Sequence, residues 1–93
     1  MSKLLELQKY SNPDYVMNKA EQLNLNPIFI STRKDKKYMI YNGKSWIHFG
    51  QMGYQDYTKH HDESRRDNFR RRNRRWFFGP MYSPGRLAYI LLW

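Results

Sequence analysis

Seven arginines, Arg65, Arg66, Arg70, Arg71, Arg72, Arg74 and Arg75, fall within eleven residues, offset only by Asp67. On a helix they would cover most of the circumference and leave a narrow stripe for Phe69 and Trp76. Guanidinium groups this close repel one another until anions neutralise them. Phosphate suits that task, because guanidinium donates two parallel hydrogen bonds to its oxygens and released counterions favour binding. The bland alternatives are a solvated basic face and a face that pairs with acidic residues of a protein partner; the density of the cluster favours a polyanion. No helix-turn-helix or zinc-finger spacing accompanies it, so binding without sequence readout is expected.

Aromatic residues are interleaved with charge: Tyr38, Tyr41, Trp46, Tyr54, Tyr57, Trp76 and Phe77. Such rings can stack on the bases of single strands. With few aliphatic residues to build a core, most of them are expected inside, and Trp46 is the best candidate for exposure. Lys37, Lys44 and Trp46 are expected to support the arginines in holding a polyanion.

His48, His60 and His61 lie near Asp56 and Asp62, but His60-His61-Asp62 lacks the spacings of three or four that converge ligands on a metal. No metal or cofactor is expected. Nor is there a nucleophile elbow, a phosphate-cradling glycine loop or a carboxylate pair placed for acid–base work, so the chain reads as non-enzymatic.

These groups must be positioned by a small scaffold. Ninety-three residues allow one domain, read over 1–93, with a modest core. Lysine and arginine exceed aspartate and glutamate, 17 to 8, for a net charge of +9, which constrains partners more than fold. An aromatic content of 17 % separates the chain from disordered basic tails. The absence of cysteine excludes a disulfide-stapled fold and thiolate metal sites. No secretory leader is expected from the start, and the longest apolar run, Leu87 to Trp93, is too short to span a bilayer; no membrane partner is expected.

The local signals predict an α+β domain. Residues 1–11, with Leu4, Leu5 and Leu7, read as a short helical turn or an arm that docks on a partner. Asn12-Pro13-Asp14 starts a helix with a cap, a proline at the first turn and an acid at the positive end; Val16, Met17, Ala20 and Leu23 form its apolar stripe. Asn24, Asn26 and Pro27 end it. Strands follow at Ile28–Thr32, Lys37–Tyr41 and Lys44–Phe49, the last two joined by the hairpin turn Asn42-Gly43. A two-residue turn pairs Tyr41 with Lys44, Met39 with Trp46 and Lys37 with His48. It puts Tyr38, Ile40, Ile47 and Phe49 together on the face that should pack on the Asn12 helix. His48 is expected to hydrogen-bond within the fold. These strands form a small antiparallel meander, and a basic helix over Asp62–Trp76 and a short last helix from Ser83-Pro84, buried through Leu87, Ile90 and Leu91, follow it.

The stretch Lys36-Lys37-Tyr38, His48-Phe49-Gly50, Asp56-Tyr57-Thr58, Arg65-Arg66 with Phe69, and the ending Leu91-Leu92-Trp93 resembles a family of small basic uncharacterised proteins encoded by large double-stranded DNA viruses, the giant-virus and algal-virus group. The likeness runs from Pro27 to Trp93. Arg70, Arg74 and Arg75 make the present helix more cationic than that pattern, and Gly85 stands where bulkier residues are common. The resemblance implies a virion component, present in the host cytoplasm or virus factory before assembly. Two roles are then expected to compete: a nucleic-acid binder, and a minor capsid or cement protein in which the basic helix meets acidic capsid surfaces while Leu4, Leu5, Leu7 and Trp93 anchor in neighbours.

Overall fold

The computed structural model describes residues 2–93. The order of elements is α1 (Lys3–Leu7), α2 (Pro13–Gln22), β1 (Ile28–Ile30), β2 (Lys36–Tyr41), β3 (Trp46–Gln51), α3 (Tyr57–His60), α4 (Glu63–Arg72), α5 (Arg74–Phe77) and α6 (Pro84–Leu87), which runs on into a π-helical segment, Ala88–Leu92. The fold is α+β, with one antiparallel sheet in the order β1-β2-β3.

Helix α2 begins and ends on local chemistry. The Asn12 side chain accepts a hydrogen bond from the Tyr15 amide at 3.2 Å, satisfying one of the free donors of the first turn. At the other end Asn24 adopts the left-handed conformation at φ 59°. The amides of Leu25 and Asn24 then donate back to the carbonyls of Ala20 and Glu21, a Schellman stop. Leu23 therefore sits past the last turn and is exposed; the buried stripe is Val16 and Ala20.

The hairpin corrects the expected register. Tyr41 pairs with Trp46, not Lys44, and Met39 with His48, not Trp46. The loop is longer than two residues because the Asn42 side chain accepts from the amides of both Lys44 and Ser45, at 2.8 and 2.9 Å, winding the chain round before pairing starts. A slip of two leaves every side chain on its own face. Tyr38, Ile40 and Phe49 are accordingly buried and Ile47 packs on them. That face is covered by α2 at the β1 edge and by α6 and the π-helical segment at β3, so the C-terminal segment shares the role expected of the Asn12 helix alone. Its Leu87, Leu91 and Leu92 are buried, each such side chain contributing about 1.5–3 kcal/mol.

Both ends of the chain turn inward. Leu7 is buried, and the Lys3 ammonium donates to the carbonyls of Ser31, Arg33 and Lys36, tying α1 to the turn before β2. Leu4 and Leu5 stay exposed. Trp93 stacks on Phe69 with centroids 4.3 Å apart and planes 9° from parallel. Leu7 and Trp93, expected to anchor in neighbours, belong instead to this domain's own packing. Near the C-terminus Gly85 is required by contact: a Cβ there would lie 2.8 Å from the Trp76 indole.

Most of the aromatic residues depart from expectation, while Trp46 is exposed as expected. Of the seven singled out, Tyr38 is buried, Tyr57 and Trp76 are half-buried, and Tyr41, Trp46, Tyr54 and Phe77 are exposed. Leucines from both terminal segments, with Ile28 and Ile40 of the sheet, fill the core in their place.

Candidate nucleic-acid interface

The basic helix is two helices. Asp62 caps α4 by accepting from the Arg65 amide at 3.1 Å, and Glu63 adds an acid to the first turn. The predicted helix over Asp62–Trp76 breaks at Asn73, whose side-chain amide donates to the Phe69 carbonyl at 3.0 Å and competes with the next backbone turn. Helix α5 then resumes at Arg74.

No residue of α4 is fully buried. The helix is held by aromatic contacts: Phe69 lies flat on Trp93 and edge-on to Trp76, with centroids 5.9 Å apart in the second pair. The Arg66 guanidinium sits 4.5 Å above the Tyr57 ring and 3.7 Å from Glu63, so Arg66 serves the attachment of the helix. With Phe69 turned inward, the remaining arginines fall to two flanks. Arg65, Arg71, Arg72 and Arg75 border a groove of about 1220 Å³ whose floor includes Phe49, Trp76 and Trp93 and whose far rim carries Lys36 and Tyr54. Arg70 and Arg74 lie on the opposite flank. Among the described residues, none of Arg65, Arg71, Arg72 and Arg75 is in an ion pair, so an arriving anion would meet four uncompensated cations.

Lys37 is a correction. It is 2 % exposed, and its ammonium donates to Asp56 at 3.1 Å and to the Tyr54 carbonyl at 2.6 Å. Burial lowers its pKa, and the neighbouring Asp56 carboxylate opposes that shift. It cannot reach a polyanion without leaving that pair. Lys44 is exposed in the hairpin loop, and Trp46 lies on the open face of the sheet beside Phe29 and Tyr41, with centroids 5.8 and 5.4 Å away. Neither lines the arginine groove. Lys36 and Tyr54 do; Tyr54 is one of the rings noted for their interleaving with charge, whereas nothing local in the sequence marked Lys36, which reaches the groove from β2.

The histidines hold the scaffold. His48 Nδ1 lies 2.6 Å from the Ser31 hydroxyl, within the fold as expected. His60 Nδ1 accepts from the Asp62 amide at 2.9 Å, which places its proton on Nε2, and the ring leans on Trp93 with centroids 5.2 Å apart. The pKa of His60 is lowered, first by burial and then by the Arg65 charge. That of His48 is lowered by burial and Arg33. A histidine whose folded-state pKa lies below its unfolded value binds fewer protons when folded. Its contribution is therefore present above about pH 6.5 and declines as the solution is acidified below it. We expect the unfolding midpoint to fall between about pH 7 and pH 5. His60→Gln should flatten that slope; an unchanged slope in this variant and in His48→Gln would exclude both rings as its source. No group of three or more potential metal ligands is present among the described residues.

The model of a family described as a family of unknown function (DUF5754) matches residues 27–73. That span runs from the first strand to the end of α4 and takes in Lys37, Asp56 and the arginines up to Arg72. No curated protein and no solved structure matches the chain.

Proposed function

The chain belongs to the DUF5754 family, whose function is unknown, and we propose that it is a non-enzymatic component of a virus particle that binds nucleic acid without sequence specificity. The observation that carries the binding is the groove bordered by Arg65, Arg71, Arg72 and Arg75, with Lys36 on the far rim. Guanidinium forks along an open groove match a phosphate backbone, which repeats its charge regularly and asks for no particular base. The viral setting rests on the sequence resemblance. Lys37 is withdrawn from the binding set, Arg66 is engaged in the attachment of the helix, and Arg70 and Arg74 face away from the groove.

The minor-capsid reading draws on a different observation. Phe29, Tyr41 and Trp46 form an exposed aromatic cluster on the open face of the sheet, a composition suited to a protein contact.

A salt titration separates the two. Labelled duplex DNA, single-stranded DNA of random sequence and heparin are each titrated with the full chain at several ionic strengths. Four to five phosphate contacts give a slope of log affinity against log salt of about −4 for duplex DNA, the same for unrelated sequences. A slope nearer zero, or no binding near physiological salt, would count against nucleic acid and for an acidic protein surface.

A further inference from the structure

The opposite flank of the basic helix carries a second cationic cluster. Lys19 from α2, Arg70 from α4, Arg74 from α5 and Arg86 from α6 converge on a depression of about 630 Å³ that no carboxylate lines. Among the described residues none of the four is in an ion pair. Arg70 Nε is buried with no hydrogen-bond partner, and its guanidinium stands 5.7 Å above the Tyr89 ring. The Lys19 ammonium is destabilised by burial and then by the charges of Arg70 and Arg66. Cations crowd here with ring and carbonyl contacts but no carboxylate partner among the described residues.

Beside them the surface is apolar. Phe78 is 74 % exposed and Met81 60 %, with Phe77 and Leu23 close to half exposed. The projecting turn is braced: the Gly79 amide donates to the Trp76 carbonyl, the Ser83 amide to the Pro80 carbonyl and the Arg86 guanidinium to the Met81 carbonyl. A stiff apolar tip flanked by cations is costly to leave in water.

We infer that this face docks on an anionic lipid surface, with Phe78 and Met81 entering the boundary between headgroups and acyl chains and Lys19, Arg70, Arg74 and Arg86 against headgroup phosphates. The charge selects an anionic partner. The apolar tip favours lipid over nucleic acid, because only Phe77 and Phe78 offer a plane for a base while Met81 and Leu23 beside them do not, whereas acyl chains accept any apolar shape. No helix among the described residues is long and apolar enough to cross a membrane. The expectation of no membrane partner rested on span length, which a surface contact does not require.

The test is co-sedimentation of the full chain with vesicles of phosphatidylcholine alone and of phosphatidylcholine mixed with phosphatidylserine. Binding is expected to the anionic vesicles only, falling about tenfold or more in the double variant Phe78→Ser, Met81→Ser and about fivefold in Arg86→Gln. Phe78 and Met81 are exposed and Arg86 is half-buried, and an unchanged thermal midpoint shows that both variants fold. The double variant should keep its affinity for DNA, so failure here is separate from failure of the groove. Three results would overturn the inference: no binding to anionic vesicles, equal vesicle binding by the double variant, or loss of its DNA affinity. Inorganic phosphate at matched ionic strength should not release the protein from vesicles; release would reduce the site to a phosphate pocket and overturn it as well.

Discussion

Asp56→Ala is expected to cost about 3–5 kcal/mol, a large share of the stability of a domain this size. Asp56 is fully buried, and its carboxylate faces the Lys37 ammonium at 3.1 Å. Its other oxygen accepts from the Thr58 hydroxyl. Thr58 is in turn 3.1 Å from Ser11, which accepts from the Tyr38 hydroxyl at 2.6 Å. The Asp56 amide donates to the Tyr10 carbonyl and the Asn12 amide to Thr58, so this one network joins the N-terminal segment, β2 and α3. Removing the carboxylate leaves a charge buried without its partner and a hydroxyl chain without its terminal acceptor. The loss is pH-dependent in a defined direction. With Asp56 gone, the folded-state pKa of Lys37 drops further below its unfolded value of about 10.5. The penalty is then complete below the new folded pKa and shrinks as pH rises from there towards 10.5, where the neutral amine carries no burial cost. Urea denaturation of wild type and variant at pH 7 and pH 10 measures both effects. The double variant Lys37→Met, Asp56→Leu should recover much of the loss, because apolar side chains of similar size satisfy the same space. An Asp56→Ala variant within about 1 kcal/mol of wild type would show that water reaches the pair.

The second large effect concerns the groove. Replacing Arg65, Arg71, Arg72 and Arg75 together by Gln should reduce duplex DNA affinity about 100-fold or more at low salt and shrink the salt slope by about 3 to 4, since each cation lost removes one phosphate contact. Glutamine keeps nearly the helix propensity of arginine, and these four side chains are exposed. Far-UV circular dichroism and the thermal midpoint should therefore be unchanged or slightly raised as like charges disappear. Lys44→Gln, in the hairpin loop, is the control and should alter affinity less than about threefold. A quadruple variant that unfolds would make the cluster structural. One that folds and binds with an unaltered slope would move the contact to the other flank or to the sheet face.

Much of the architecture was legible because its causes are local. The Asn12 cap, the proline that follows it and the stop at Asn24 act within one helical turn, and α2 forms between them. The alternation along β2 and β3 has a period of two, so the buried face, Tyr38, Ile40, Ile47 and Phe49, was readable even with the register misplaced by two. The Arg65–Arg75 cluster and its charge were evident as composition.

What the sequence could not determine depends on groups brought together from far apart. Lys37 reads as a surface cation until Asp56, nineteen residues away, is found beside it. The arginines divide into two faces only because Phe69 is drawn inward by Trp93, and that stack exists only once the C-terminal segment has docked on β3. Lys19 and Arg86 join Arg70 and Arg74 through the same packing. Local propensity and periodicity report on neighbours within a few residues, and they settled which elements form and which faces turn inward. Which charges are buried, and which remain free to meet an anion, was decided by contacts that exist only after the elements assemble.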